Sequence, residues 1–256
     1  MDDFSIYIYI FLWCIGAFAG FVDSIAGGGG LLTVPALTAA GVPPQMILGT
    51  NKLQGSFGSF SSSLKYLSSK EIELRSIASA FLCSLIGSAI GSSTVQQIHS
   101  DFLKPLILIM LIAVALFFIF SPKMSDTPRE SKLTPFVFAL IFGTSIGFYD
   151  GFFGPGTGSF FVIALMTMRG FGLKAATMRA KILNLASNIG ALTFFIIGGA
   201  VLWKIGLLMA TGQFIGARIG AGMVMSKGTA LIRPMVIVIA VLMSAKSLLD
   251  YFGFSF

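Results

Sequence analysis

The sequence predicts an all-α polytopic membrane protein built from two homologous, inverted repeats with broken or half-membrane helices. Three observations carry that reading. The 256 residues are 55% hydrophobic and only 11% charged, with a mean hydropathy of +0.92, whereas an ordinary soluble domain has about 25% charged residues. Several apolar runs approach the roughly 20 residues that a helix needs to cross a bilayer. Finally, the pattern GFVDSIAGGGG that begins at Gly20 returns at Gly147 as GFYDGFFGPGTG.

Taken in order, residues 4–22 form a first helix long enough to span. Asp2 and Asp3 stand where a cleaved signal peptide carries basic residues, so this segment is expected to be retained. Asp23 follows inside the apolar run, which then breaks at four glycines, 27–30. Ten residues of helix cover about 15 Å, so the apolar segment 31–40 is too short to cross. It reads as a half-helix, re-entrant or part of a broken one. After Pro43-Pro44 a long segment, 44–67, carries Asn51, Lys52 and Gln54, and Lys70, Glu71, Glu73 and Arg75 mark a loop. Residues 77–95 span, with Gly87 and Gly91 spaced for close helix packing. A polar turn and a further span, 105–120, complete the first repeat.

The boundaries expected are 1–121 for the first transmembrane repeat, 122–133 for a charged, proline-punctuated cytoplasmic linker, and 134–256 for the second repeat. Gly20-Phe21-Val22-Asp23 aligns with Gly147-Phe148-Tyr149-Asp150 at an offset of 127. Asn51-Lys52-Leu53 then meets Ala180-Lys181-Ile182 at an offset of 129, which also pairs Gly87 and Gly91 with Gly216 and Gly220, and Lys104-Pro105 with Arg233-Pro234. Matches in this order over about a hundred residues define an internal repeat.

Orientation follows from counting. If the short segments 31–40 and 159–168 count as crossings, each half has five, and the second half is inverted. The cytoplasmic turns then hold Lys70, Arg75, Lys123, Arg129, Lys132, Arg169, Lys174, Lys227 and Arg233, against Lys104 and Lys204 opposite. That distribution favours both termini outside. If both short segments return to their own side, each half has four crossings and the repeat is parallel.

The two breaks carry the chemistry. Glycines before a helix leave N–H groups free and aim the positive end of a dipole at the gap, which favours an anion. Gly28, Gly29 and Gly30 offer this in the first half, and Gly156 and Thr157 in the second. Transporters with inverted repeats build their sites from such breaks. A lysine within a span costs roughly 3 kcal/mol on insertion scales and marks a functional position by default. Lys52 and Lys181 occupy equivalent places, with Asn51 and Gln54 beside one and Asn184 and Asn188 beside the other. A cation among amides facing a helix N-terminus suits a small oxyanion. The rival reading is snorkelling to the interface, which is stronger for Lys181 because Arg179 is near. Asp23 and Asp150 have two readings, proton-coupling acids or groups that cap N–H donors or neutralise the lysines. Arg218, between Gly216 and Gly220, could pair with either aspartate or contact substrate. Lys246 and Asp250 read as an interfacial i,i+4 pair.

The stretches GFVDSIAGGGGLLTVPAL, GTNKLQGSFGS and AKILNLASNIGAL resemble the sulfite exporter TauE/SafE family of bacterial transporters, also called TSUP, with a likeness from Gly16 to Leu249. The resemblance implies a duplicated inner-membrane transporter for sulfur-containing anions of the sulfite, sulfonate or sulfoacetate type, driven by an ion gradient. It implies no particular substrate. Where the first half has GGGG the second has GPGTG, so the two half-sites are not expected to be equivalent.

The remaining composition excludes other classes. One histidine, His99, and two isolated cysteines, Cys14 and Cys83, expected to be small buried side chains, make a metal site or an enzyme's catalytic cluster unexpected. No cofactor is expected, and no nucleic-acid motif is present. The partners expected are a small anion, the bilayer and a coupling proton or sodium ion, and a homo-oligomer is open. The alternative function is an uncoupled anion channel.

Overall fold

The computed structural model describes residues 4–120 and 126–227. The expectations for Lys123, Arg233, Lys246 and Asp250 therefore lie outside the described residues. Within them the chain forms nine helices: α1 (Ile6–Ala26), α2 (Gly30–Ala39), α3 (Pro44–Leu67), α4 (Ala78–Val95), α5 (Ser100–Phe120), α6 (Pro135–Phe152), α7 (Thr157–Arg169), α8 (Leu173–Ile197) and α9 (Trp203–Lys227). A 3-10 turn, Leu74–Ser76, precedes α4, and α6 contains a π-helical turn at Ala139–Gly143.

Among the described residues, five helices are long and apolar enough to cross a membrane: α1, α4, α6, α8 and α9. Their outer faces carry large apolar side chains, such as Leu82, Ile86 and Ile90 in a stripe along α4. Such a surface suits lipid rather than water. Cys14 is exposed on α1 and Cys83 on α4 is half-buried, so the expectation of two buried cysteines is corrected. The reason for Cys14 is that α1 turns Gly16 and Gly20 inward onto α9.

At 24 residues α3 is as long as the spanning helices but far more polar, and it is sheltered instead. Lys52, Gln54, Ser59, Ser61 and Ser62 are fully buried within it. Several of its hydroxyls are satisfied within the helix, with Ser56 donating to the Lys52 carbonyl at 2.7 Å and Ser62 to that of Gly58 at 3.0 Å, and Ser61 donates to the Phe214 carbonyl of α9 at 2.8 Å. In an apolar setting such internal bonding is what makes a serine-rich helix tolerable.

Glycine sets the tightest helix contacts. Gly16 and Gly20 of α1 lie against the backbone of Met209 and Gln213, and Gly216 and Gly220 of α9 lie against the carbonyls of Ala17 and Phe21. Gly147 of α6 lies against Ser84, while Gly87 and Gly91 of α4 lie against the carbonyls of Thr144 and Phe148. Any Cβ at these positions would overlap a neighbouring backbone, which is the small-residue route to close helix approach. Both pairs, α1 with α9 and α4 with α6, run parallel.

The connections gather at two ends. At one, Gln45 donates to the Ile98 carbonyl at 3.3 Å, the Leu202 N–H donates to Thr50 Oγ1 at 3.0 Å, and Lys204 lies over the Tyr9 ring at 5.0 Å. At the other, Lys174 pairs with Glu71 at 3.0 Å and the Arg129 N–H donates to the Gly170 carbonyl at 2.8 Å. So α1 enters from the first end and α2 leads back to it, whereas α6 enters from the second end and α7 leads back there.

Candidate functional site

The tips of these two helical hairpins meet inside the protein. Gly27 closes α1 in the left-handed region, φ 80°, with its N–H donating to the Asp23 carbonyl at 2.8 Å. A Cβ there would strike the backbone of Gly158 and Ser159, so glycine is required twice over, for φ and for the approach. The Ser159 hydroxyl donates to the Ala26 carbonyl across the same junction. Gly30 faces Pro155. On the second tip Gly154 and Gly156 have φ of 102° and 86°, and Thr157 Oγ1 ties the turn by donating to the Gly154 carbonyl at 2.7 Å.

Two lysines flank the junction, one from α3 and one from α8, and each reaches across to the opposite hairpin. Lys52 Nζ donates to Asp150 Oδ1 at 2.6 Å, and Lys181 Nζ to Asp23 Oδ2 at 2.8 Å. All four side chains are buried or nearly so. Asp23 Oδ1 also accepts the Gly29 N–H at 3.1 Å, and Asp150 Oδ2 accepts from Asn184 Nδ2 at 3.3 Å. Asp23 therefore both caps and neutralises, and Asp150 neutralises. Neither lysine snorkels. Removing one member of such a pair leaves a bare buried charge, a loss of about 3–5 kcal/mol.

Between the tips lies a cavity of about 20 Å³, room for about one water. Its polar lining comes from Asp23, Asn51, Lys52, Asp150, Asn184, Asn188 and Gln213, and its floor from glycines including Gly30, Gly154, Gly156 and Gly158. Asn51 is oriented by its neighbours, its Oδ1 accepting from Thr33 Oγ1 at 2.7 Å and Gln54 Nε2 at 3.0 Å. Asn188 Nδ2 donates to Ser59 Oγ at 3.4 Å.

Of the residues picked from sequence, Gly30, Asn51, Lys52, Gly156, Asn184, Asn188, Asp23 and Asp150 border the cavity. Gly28, Gly29, Gln54, Thr157 and Lys181 stand behind it, where Gly29, Gln54, Thr157 and Lys181 brace the lining groups. Arg218 is not brought in. It is exposed on α9, because that helix turns Gly212, Gly216 and Gly220 onto α1 and leaves position 218 facing away. The N-terminus of α2 is also not open to an anion in the manner expected, since Asp23 already holds the Gly29 N–H. The sequence reading missed Gln213, which is 2% exposed with Oε1 unpartnered, and Thr33. A lone glutamine in an apolar span beside Gly212 was the available signal.

The described residues thus form a helical protein with five apolar helices long enough to cross a membrane and two buried lysine–aspartate pairs where its hairpin tips meet. The chain belongs to the TauE/SafE family: the family model described as "Sulfite exporter TauE/SafE" matches residues 12–247. It is 45% identical over 250 residues to "Probable membrane transporter protein ORF9" of Sinorhizobium sp, covering 98% of this chain and 96% of that one. It is 43% identical to "Probable membrane transporter protein" of Haemophilus influenzae, covering 99% and 100%. With "Probable membrane transporter protein YfcA" of Escherichia coli K12 the identity is 46%, over 94% and 90%. The family is one of transporters, not of enzymes.

Proposed function

We propose that this protein is a secondary transporter that moves small sulfur-containing anions, of the sulfite, sulfonate or sulfoacetate type, across the bacterial inner membrane. The observation that carries the proposal is Lys52. It is a cation 1% exposed in the middle of a helix, bordering a cavity otherwise lined by amides, glycine backbone and two carboxylates. Amides and a single cation suit a compact oxyanion. Lys181 supports the site from behind by holding Asp23. Sulfur as the central atom rests on the family's description.

Two halves in inverted repeat are part of the same reading. In its favour, the connections 40–43, 96–99 and 198–202 share one end, and 68–77, 126–134 and 170–172 share the other. Asn188 and Ser59, which pair with each other, stand 129 residues apart, the offset of the repeat itself. Lys70, Arg75, Arg129, Lys132, Arg169 and Lys174 all fall at the second end, and the excess of positive charge makes that end cytoplasmic.

A thermal-shift panel on the purified protein tests the proposal, with sulfite, thiosulfate, sulfate, ethanesulfonate, phosphate and chloride as probes. Stabilisation by a sulfur oxyanion in the wild type, absent from Lys52→Ala although that variant remains folded, is the expected result. Stabilisation that survives Lys52→Ala removes the lysine from the site. Flux that depends on no second ion would indicate a channel in place of a carrier.

A further inference from the structure

We propose that anion binding at this site is coupled to uptake of a proton by Asp150. The inference rests on the anion-transporter reading above and adds the identity of the coupling ion and its carrier.

The charges at the junction are two lysines and two aspartates, each paired across the hairpins at 2.6 and 2.8 Å. Their sum is zero. A monovalent anion entering among these buried side chains would leave one buried charge uncompensated, which is strongly unfavourable. The anion must therefore arrive with a cation, or a carboxylate must lose its charge.

The geometry selects the carboxylate. Lys52 borders the cavity and Lys181 does not, so an anion takes Lys52 as its partner and displaces Asp150 Oδ1 from it. Asp23 is unaffected, because it keeps both Lys181 and the Gly29 N–H. Asp150 is left with Asn184, whose amide can present a donor to a carboxylate or its oxygen to a carboxylic acid. With a side chain 2% exposed and no cation beside it, the Asp150 carboxylate would be an uncompensated buried charge.

Among the described residues, few charged or titratable groups face Asp150. From α3 it meets Lys52, and the other charges at the junction are Lys181 from α8 and Asp23 from α1. At this level α4 contributes Ser88 against Gly151, and α7 carries no charge before Arg169 at its far end. Tyr149, on the same helix, directs its hydroxyl to the Pro155 carbonyl at 2.6 Å. In the balanced step one proton bonds to Asp150 Oδ1 and one monoanion pairs with Lys52 Nζ, so the site is neutral before and after. Transport of that pair moves no net charge and responds to a pH gradient rather than to membrane potential.

The test is calorimetric titration of the full-length protein with ethanesulfonate, whose sulfonate does not titrate near neutrality, in buffers of different ionisation enthalpy. The expected result is uptake of about one proton per anion, with affinity falling about tenfold per pH unit on the alkaline limb. Asp150→Asn is expected to bind without proton uptake and independently of pH. Binding by the wild type with no proton uptake, or uptake that persists in Asp150→Asn, overturns the inference and leaves the anion reading standing. Failure of both the wild type and Asp150→Asn to bind ethanesulfonate removes the sulfonate reading and the inference with it. If Asp150→Asn does not fold, a wild type that binds ethanesulfonate without proton uptake still overturns the inference.

Discussion

The two lysine–aspartate pairs are alike in distance and opposite in setting. Lys181 and Asp23 are built into backbone, since the carboxylate also holds the Gly29 N–H at the start of α2 and the ammonium sits behind Gly158. Lys52 and Asp150 instead meet across the cavity, and the second carboxylate oxygen is held by a side-chain amide. The tips also differ in sequence, GGGG against GPGTG. Asp23 accepts a backbone N–H from Gly29, whereas the hydrogen bonds described for the Asp150 carboxylate come from the side chains of Lys52 and Asn184. One pair is fixed to the scaffold, and the other can exchange partners.

The comparison breaks most completely if the tips are kept apart. Gly27→Ala would combine a left-handed residue, about 1–2 kcal/mol for any L side chain, with an overlap onto Gly158. Its expected outcome is loss of monodisperse protein on size exclusion after extraction, and a well-folded Gly27→Ala would mean that the tips need not touch.

Next come the acids. Asp23→Asn should lower stability by about 3–5 kcal/mol, because Asp23 is the charged partner of Lys181 among the described residues. Asp150→Asn should lose less, because Lys52 borders a cavity with room for a water. Melting temperatures in one detergent give the order, and the reverse order would place the fixed pair at Lys52. Combining Asp150→Asn with Lys52→Gln should recover stability relative to the single change, since a neutral pair leaves no bare charge. The smallest effect is expected of Gln213→Leu. Replacing an unpartnered amide by an apolar side chain of similar size is nearly neutral for folding, so its melting temperature should hardly move while stabilisation by ligand weakens.

How far the letters led can be judged residue by residue. The helices, their order and the short segments followed from apolar run lengths and glycine breaks, with α2 found at Gly30–Ala39 where 31–40 was expected. Lys52, Asp150 and the asparagines were legible because a polar group in an apolar run has few innocent explanations. What was not legible was pairing. Nothing in the spacing says that Lys52 crosses to Asp150 and Lys181 to Asp23, because those partners are 98 and 158 residues apart. Arg218 misled for the same reason, as its register on α9 depends on which face Gly216 and Gly220 present to α1. Gln213 stayed hidden among apolar neighbours in a helix read for its glycines and for Arg218.

The glycine contacts of α1 with α9 and of α4 with α6 bear on how the protein is made. Each joins a helix synthesised before the linker to one synthesised after it. While the ribosome is still producing the second stretch, α1 and α4 have inserted with their bare glycine faces turned to lipid and their partners not yet in the bilayer. The protein therefore acquires its interior only when α9 emerges. A chain truncated at the linker should be held by insertion chaperones or degraded, whereas the two pieces produced together should find each other.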